Sequence, residues 1–333
     1  MILAGDIGGT HTRLALFDAD PHEPLALAVY PSREHAGLEE IVAAFLAEHP
    51  ADLEGACFDV AGPVRDGRVK TTNLPWIVDA RRVADRAGLP SVELVNDLEA
   101  TAYGIGELTA SDLETLNGGD PSIGGNLAVI AAGTGLGEAG LIWDGERYHA
   151  LASEGSHSDF GPRSDLEVDL YTSLAREERH VSYERVCSGI GLVAVYRFLR
   201  ERSRAEEPGW LAGAIRDGDA AAAISSAGLT GRDAISEEAL DLMVSIYGAE
   251  AGNLALRLLA TGGIYIGGGI APHILPKLRQ PSFLDSLTAK GRFRAMLERI
   301  PVHVILNEHT GLLGAARIAR QDPPHIHRAE ARR

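Results

Sequence analysis

Basic residues are scarce in this chain. Lys and Arg number 31 against 47 Asp and Glu, a formal net charge of −16. Neither nucleic acid nor an anionic membrane surface is therefore an expected partner, since both are held by basic patches. A nucleoside triphosphate remains compatible, because a divalent cation and local backbone dipoles meet its charge. Cysteine is nearly absent: Cys57 and Cys187 stand far apart among apolar neighbours. No disulfide framework or cysteine-built zinc site can be drawn from them, and buried free thiols in a reducing compartment are expected. Long hydrophobic runs are also missing. The longest apolar stretch, 127–143, is interrupted by Gly133, Thr134, Gly135, Gly137 and Glu138 and cannot span a bilayer. No basic segment followed by an apolar core opens the chain, so no secretory signal is read. These absences leave a soluble, cytoplasmic α/β protein, and 333 residues with 45% hydrophobic content predict two domains with real cores.

What is present is organised around Asp6-Ile7-Gly8-Gly9-Thr10-His11-Thr12-Arg13. Apolar runs lead in and out, so strand, glycine turn, strand is the reading, with the paired glycines expected to supply a positive φ. Such a turn lets backbone N–H groups approach an anion, with the Thr10 and Thr12 hydroxyls beside them. Asp6 at the end of the first strand would repel a bare phosphate, and makes sense if a Mg²⁺ ion and its water shell lie between the two. The pattern returns as a strand over 127–131, a Gly133-Thr134-Gly135-Leu136-Gly137 turn and a strand over 139–143, with Ala132 where the first copy has Asp6. A weak internal repeat follows, and with it phosphate contact at both turns.

Between and beyond these hairpins, strands alternate with helices. Helical spacing over 38–49, a buried strand over 56–61, a helix over 79–87 and a strand over 92–95 ending at Asn96-Asp97 predict a sheet with helices packed on it. Ligand groups in such folds gather at the carboxyl ends of strands, where Asp6 and Asp97 both fall. Residues 108–125 turn polar and glycine-rich and read as a domain junction or loop, 208–218 as irregular, and 236–260 as a long helix capped by Ser236. A strand at 264–266 runs into Gly267-Gly268-Gly269, which suits either a close-lying ring or phosphate or plain helix–sheet packing. Glu154, His157 and Asp159 lie among glycines, with Glu184 following. Their spacing makes a closed metal site hard to build. Thr72-Asn73 closes a polar connection, and 322–333 reads as a frayed tail.

In order along nearly the whole chain, the Asp6–Arg13 hairpin, Val95-Asn96-Asp97, the Gly133–Gly137 turn, Glu154-Gly155-Ser156-His157, 180–192, 267–272 and Gly311-Leu312-Leu313-Gly314 resemble the bacterial ATP-dependent glucokinases of the hexokinase/actin-like ATPase superfamily. Each piece alone is modest, and the ordered set is specific. The resemblance implies two actin-like (ribonuclease H-like) α/β domains, 1–107 plus 307–333 and 108–306, with an interdomain active-site cleft. It implies ATP and Mg²⁺ as cofactors, D-glucose as the acceptor and a homodimer. Asp97 would be the general base on the sugar 6-hydroxyl, and Asn96, Asp97, Glu154, His157 and Glu184 would hold the sugar. Asp6 (through water to Mg²⁺), Gly8, Gly9, Thr10, Thr12, Gly133, Thr134, Gly135, Gly267, Gly268 and Gly269 would hold the nucleotide. The zinc motif of the repressor/ORF/kinase branch cannot be built from two cysteines. A non-catalytic sugar sensor and a phosphotransferase for another hexose are the competing readings.

Overall fold

The computed structural model describes every residue except 19–21, 72–73, 90, 121–123 and 321–333, so the readings made for Thr72, Asn73 and the 322–333 tail lie outside the described residues. The chain divides into two compact units, Met1–Thr109 with His309–Arg333, and Ala110–Glu308.

In the first unit, strands β1 (Ile2–Ile7), β2 (His11–Phe17), β3 (Ala26–Pro31), β4 (Gly55–Val60) and β7 (Glu93–Asn96) form one sheet in the order β3-β2-β1-β4-β7. A small ribbon, β5 (Arg68–Lys70) with β6 (Ile77–Asp79), stands apart. The three strands on one side are antiparallel, and β1, β4 and β7 run parallel. Alternation along each strand sends side chains to both faces. Leu3, Leu14, Leu16 and Phe58 pack with Leu38, Ile41, Val42 and Phe45 of helix α1 (Leu38–Glu48), next to α2 (Ala80–Ala87). On the other face, Ala4, Ala15, Cys57 and Val95 meet Ala100 of α3 (Asp97–Gly104) and Leu312, Leu313, Ala315 and Ala316 of the C-terminal helix, Thr310–Arg320. Small residues on this face let the helices come close. A Cβ at Gly314 would lie 1.8 Å from the Ala100 carbonyl oxygen, and one at Gly104 2.0 Å from that of Thr310.

The second unit repeats the plan. Strands β8 (Leu113–Asn117), β9 (Leu127–Ala132), β10 (Leu136–Trp143), β11 (Tyr148–Ser153), β12 (Gly263–Gly267) and β13 (Val302–Ile305) are ordered β11-β10-β9-β12-β13-β8. Again three antiparallel strands adjoin two parallel ones, with β8 added antiparallel at the far edge. Helices α4 (Asp165–Leu174), α5 (Gly189–Ser203), α6 (Gly209–Asp217), α7 (Ala220–Leu229) and α8 (Ala234–Leu258) fill the long connection from β11 to β12. Helix α8 carries the core, with Leu240, Met243, Val244, Ile246 and Tyr247 all buried.

Three sequence readings are corrected here. The polar segment 108–125 holds the break between the units after Thr109, as the junction reading has it, but is not a plain loop: it contains the strand β8, which is half-buried at the sheet edge and so shows little hydrophobic alternation. The segment 208–218 is the helix α6; Pro208 stands at its N-cap, where proline starts a helix as readily as it breaks one. Helix α8 is capped by Asp233, which accepts the Ser236 N–H at 2.7 Å, while Ser236 itself is buried one turn inside.

Candidate active site

The first unit gathers carboxylates at its strand ends. Asp6 on β1 is the ladder partner of Asp59 on β4, and Asp59 is the partner of Val95 on β7. Two residues beyond Val95 the chain enters α3 at Asp97. Asp59 is 2% exposed, and its Oδ2 has no hydrogen-bond partner. Burial above all, then the charges of Asp6 and Asp97, push its carboxyl well up, against the pull of Arg13. Asp97 is pushed up to about 6, chiefly by burial; the Leu98 N–H works against the shift and Asp6 adds to it. Arg13, opposite Asp6 across the hairpin, donates from Nη1 to Asp6 Oδ2 at 3.0 Å. Sequence reasoning did not single out Asp59. Its signal was an Asp at the end of the apolar run Ala56–Val60, where a charge is costly without a purpose.

The glycine turn is braced in a way the sequence did not announce. Ser32 donates its N–H to the Thr10 carbonyl oxygen at 2.9 Å and its Oγ to that of Gly8 at 2.8 Å. Thr12 is fully buried with Oγ1 3.0 Å from Ser32 Oγ, so its hydroxyl serves this brace, while Thr10 is exposed. Neither Gly8 nor Gly9 adopts a positive φ, contrary to expectation. At Gly8 the need for glycine is close approach: a Cβ would stand 2.8 Å from the His11 carbonyl oxygen, which accepts the Gly8 N–H. Asn96, and not Asp97, is the N-cap of α3, its Oδ1 accepting the Leu98 N–H at 2.9 Å and its Nδ2 donating to Gly62 O at 3.3 Å. An amide retains further capacity for a ligand after those two bonds.

In the second unit, the turn Gly133–Gly135 faces the start of α5. The Gly189 N–H donates to the Gly133 carbonyl oxygen at 2.8 Å, and Ser188 caps the helix by accepting from the Gly191 N–H. Glu184 Oε2 accepts the Leu136 N–H at 3.0 Å and lies 2.4 Å from where a Gly135 Cβ would be. That glycine is there to admit the carboxylate. Tyr247 of α8 steadies the end of β9, donating to Ile130 O and accepting from Ala132 N–H. Gly268 has φ +80°, and a Cβ there would fall 2.3 Å from the Ala132 carbonyl oxygen. A cavity of about 790 Å³ opens beside this turn, lined by Gly133, Thr134, Ile190, Ala221, Ser225, Gly269 and His273 among others. Gly269 has open space where a Cβ would be. Of the three glycines, then, Gly268 serves packing and Gly269 borders the cavity.

Glu154 stands at the N-cap of the 3-10 turn Gly155–His157 and His157 is its last residue, and Glu184 sits in a second turn, Tyr183–Arg185. A short antiparallel bridge joins the two: the Phe160 N–H donates to Val181 O, the Tyr183 N–H to Ser158 O, and Asp159 pairs with Ser182. His157 Nε2 is 3.9 Å from Glu154 Oε2, both side chains being more than half exposed. Asp159 pairs instead with His180 at 3.0 Å. Among the described residues no three His, Cys, Asp or Glu side chains are placed to ligate a metal directly. The orphaned Oδ2 of Asp59 beside Asp6 does fit a hydrated cation.

A five-strand pattern used twice, each copy turning its first hairpin on glycine, defines the actin-like class of phosphotransferases, and the chain is of that class. The glucokinase family profile matches residues 3–322. Glucokinases of Nostoc sp. and Synechocystis sp. are 44% and 40% identical, over 95% and 96% of this chain and 98% of each relative. Among solved structures, a glucokinase from an Antarctic psychrotroph superposes with TM-score 0.84 at 30% identity, covering 96% of this chain and 99% of that one. A ROK family glucokinase from Streptomyces griseus in complex with glucose and AMPPNP gives 0.66 at 25% identity, covering 96% and 99%. The chain belongs to the glucokinase family.

Proposed function

We infer that the chain moves the γ-phosphoryl group of ATP to the 6-hydroxyl of D-glucose, giving glucose 6-phosphate and ADP, with Asp97 as the general base. Phosphoryl transfer asks for positioning, charge stabilisation and an acceptor for the hydroxyl proton. The observation that carries the assignment is Asp97 itself, a carboxyl at the end of β7 whose affinity for a proton is raised to about 6. It is ionised at neutral pH yet a better base than a solvent-exposed aspartate. Arg13 fixes the Asp6 carboxylate by its hydrogen bond, and Asp6 would act on a cation through that cation's water shell. A Mg²⁺ ion bound with ATP would shield the charge of the transferring group.

Asn96, Glu154, His157 and Glu184 are assigned to the sugar hydroxyls, and a site of carboxylates, an amide and an imidazole rejects sugars that leave one of them unpaired. Gly8, Gly9 and Thr10, braced by Thr12, together with Gly133, Thr134, Gly135, Gly267 and Gly269, are assigned to the nucleotide, with Gly268 packing their loop against Ala132. The cavity beside Gly269 is apolar enough for a base. A homodimer acting in the cytoplasm completes the reading.

The test is a coupled assay with Mg²⁺–ATP and glucose, mannose, fructose, N-acetylglucosamine or no sugar, with Asp97→Asn beside the parent. Glucose-dependent ADP release that vanishes in the variant is the expected result. Preference for another sugar would change the acceptor and keep the base. Glucose binding with no ADP release from the parent would replace catalysis by sugar sensing.

A further inference from the structure

The second unit contains a buried ion network with no part in the chemistry above. Glu138 on β10 and Glu250 on α8 are both fully buried. One guanidinium serves the two: Arg257 Nη1 lies 3.4 Å from Glu138 Oε2, and Nη2 donates to Glu250 Oε1. From Glu250 the chain of bonds continues. Asn253 Nδ2 donates to Glu250 Oε2 at 2.8 Å and to the Tyr183 hydroxyl at 3.0 Å, and Lys290 Nζ donates to Asn253 Oδ1 at 2.6 Å. Glu138 Oε1 has no hydrogen-bond partner. Two buried carboxylates on one arginine cost more in desolvation than an apolar cluster of the same volume, so stability alone is a poor reason to place them there.

Both ends of the network finish beneath the turns that carry the assigned sugar ligands. At one end, a Cβ on Gly155 would lie 2.2 Å from Glu138 Oε2 and 3.0 Å from Ser153 Oγ, so the backbone of the Gly155–His157 turn rests directly on the carboxylate. Ser153 is the ladder partner of Glu138 and accepts the Gly155 N–H at 2.9 Å. At the other end, Tyr183 immediately precedes Glu184, and its ring stands edge-on to Phe160 at 5.7 Å in the bridge that joins the turns. Glu154, His157 and Glu184 are thus all one step from a single buried network.

We propose that Glu138, Arg257, Glu250 and Asn253 are positioning residues for the sugar, holding the Gly155–His157 and Tyr183–Arg185 turns in one fixed relation through a shared ion network. The proposal rests on the reading of Glu154, His157 and Glu184 as sugar ligands. Displacing the turns loosens the acceptor directly and reaches the nucleotide turn only through the bond from the Leu136 N–H to Glu184, so glucose should respond more strongly than ATP.

The experiment measures KM for glucose, KM for ATP and kcat in Glu138→Gln and Arg257→Lys, with glucose affinity by calorimetry and hydrogen exchange of the segments 153–158 and 182–186. Burial, then the charge of Glu250, pushes the Glu138 carboxyl up to about 8, so Glu138→Gln keeps the shape and sets an amide where the carboxyl meets Arg257 and the Gly155–His157 turn. Arg257→Lys, at a half-exposed position that a lysine tolerates, keeps the charge and loses the two-pronged reach. Expected are a glucose KM and Kd raised about tenfold, equal to about 1.4 kcal/mol, an ATP KM that changes about threefold at most, and faster exchange confined to the two segments. Unchanged glucose affinity in a folded Glu138→Gln overturns the proposal. So does a lower kcat with both KM values raised alike alongside a lower melting temperature, which marks a merely structural network. If Glu138→Gln does not fold, Arg257→Lys decides by the same criteria. Glu154→Gln and His157→Gln are run alongside. Should these leave glucose affinity intact, the sugar assignment has failed, and that outcome is separable from the behaviour of Glu138.

Discussion

The two glycine hairpins share a strand order and differ in charge. At the first, Asp6 and Asp59 lie on neighbouring strands with Asp97 just beyond the next, and a turn is tied down by Ser32 and Thr12. At the second, β9 ends in Ala131-Ala132 and β12 in Gly267, so no carboxylate stands at the corresponding strand ends. Its turn is tied instead by Tyr247, by the α5 N-terminus and by Glu184 reaching across from another loop. The contrast teaches how a duplicated fold divides labour. Backbone geometry is kept in both copies, while the side chains at the strand ends differ, acidic in the first copy and small and uncharged in the second.

Breaking the acidic side should have the larger effect. Asp97→Asn is expected to lower kcat by about 10²–10⁴ with the fold intact, checked by steady-state assay beside circular dichroism. With Asp6 assigned to the phosphate side and not the sugar, Asp6→Ala should damage turnover more than glucose affinity; equal loss of both would indicate a disrupted hairpin, because Arg13 loses that bond. On the glycine side, stability is the readout. Gly268→Ala forces a left-handed φ on a residue whose Cβ meets the Ala132 backbone, and should cost on the order of 1–3 kcal/mol in urea unfolding. Gly133→Ala, with open space and an ordinary φ, should shift unfolding by about 0.5 kcal/mol or less.

Smaller effects come from pH. With Asp97 held up to about 6 by burial, kcat/KM should rise with pH through that value and level off above it. An acid limb lying at or below pH 4 would argue against Asp97 as the titrating base. Stability should move the opposite way. Asp97, and Glu93 at about 7 through burial and then Glu99, bind a proton more tightly folded than unfolded. Their contribution is complete below the ordinary carboxylate range and is lost as pH rises through about 6 to 7. The melting temperature should therefore decline across that window, and Glu93→Gln should flatten the decline.

Several features were legible in the residues. The Asp6–Arg13 hairpin, its weaker echo at Gly133–Gly137 and the strand ending at Asn96-Asp97 were all visible, because glycines and period-two alternation act over a few residues and leave a local mark. The ordered motifs also pointed to the family. Helix α6 was hidden by Pro208 and its glycines, and β8 by its half-buried edge position, since in both the local pattern was ambiguous and tertiary packing decided. Asp59, Ser32 and the Glu138–Arg257–Glu250 network could not be read at all. Each takes its meaning from partners between 7 and 119 residues away or on a neighbouring strand, and no periodicity records such a meeting. Sequence alone thus determined which local shapes and which reactive groups the chain owns. Only the tertiary structure decided which carboxylates lose their water, because desolvation depends on what packs around a group and not on what precedes it in the chain.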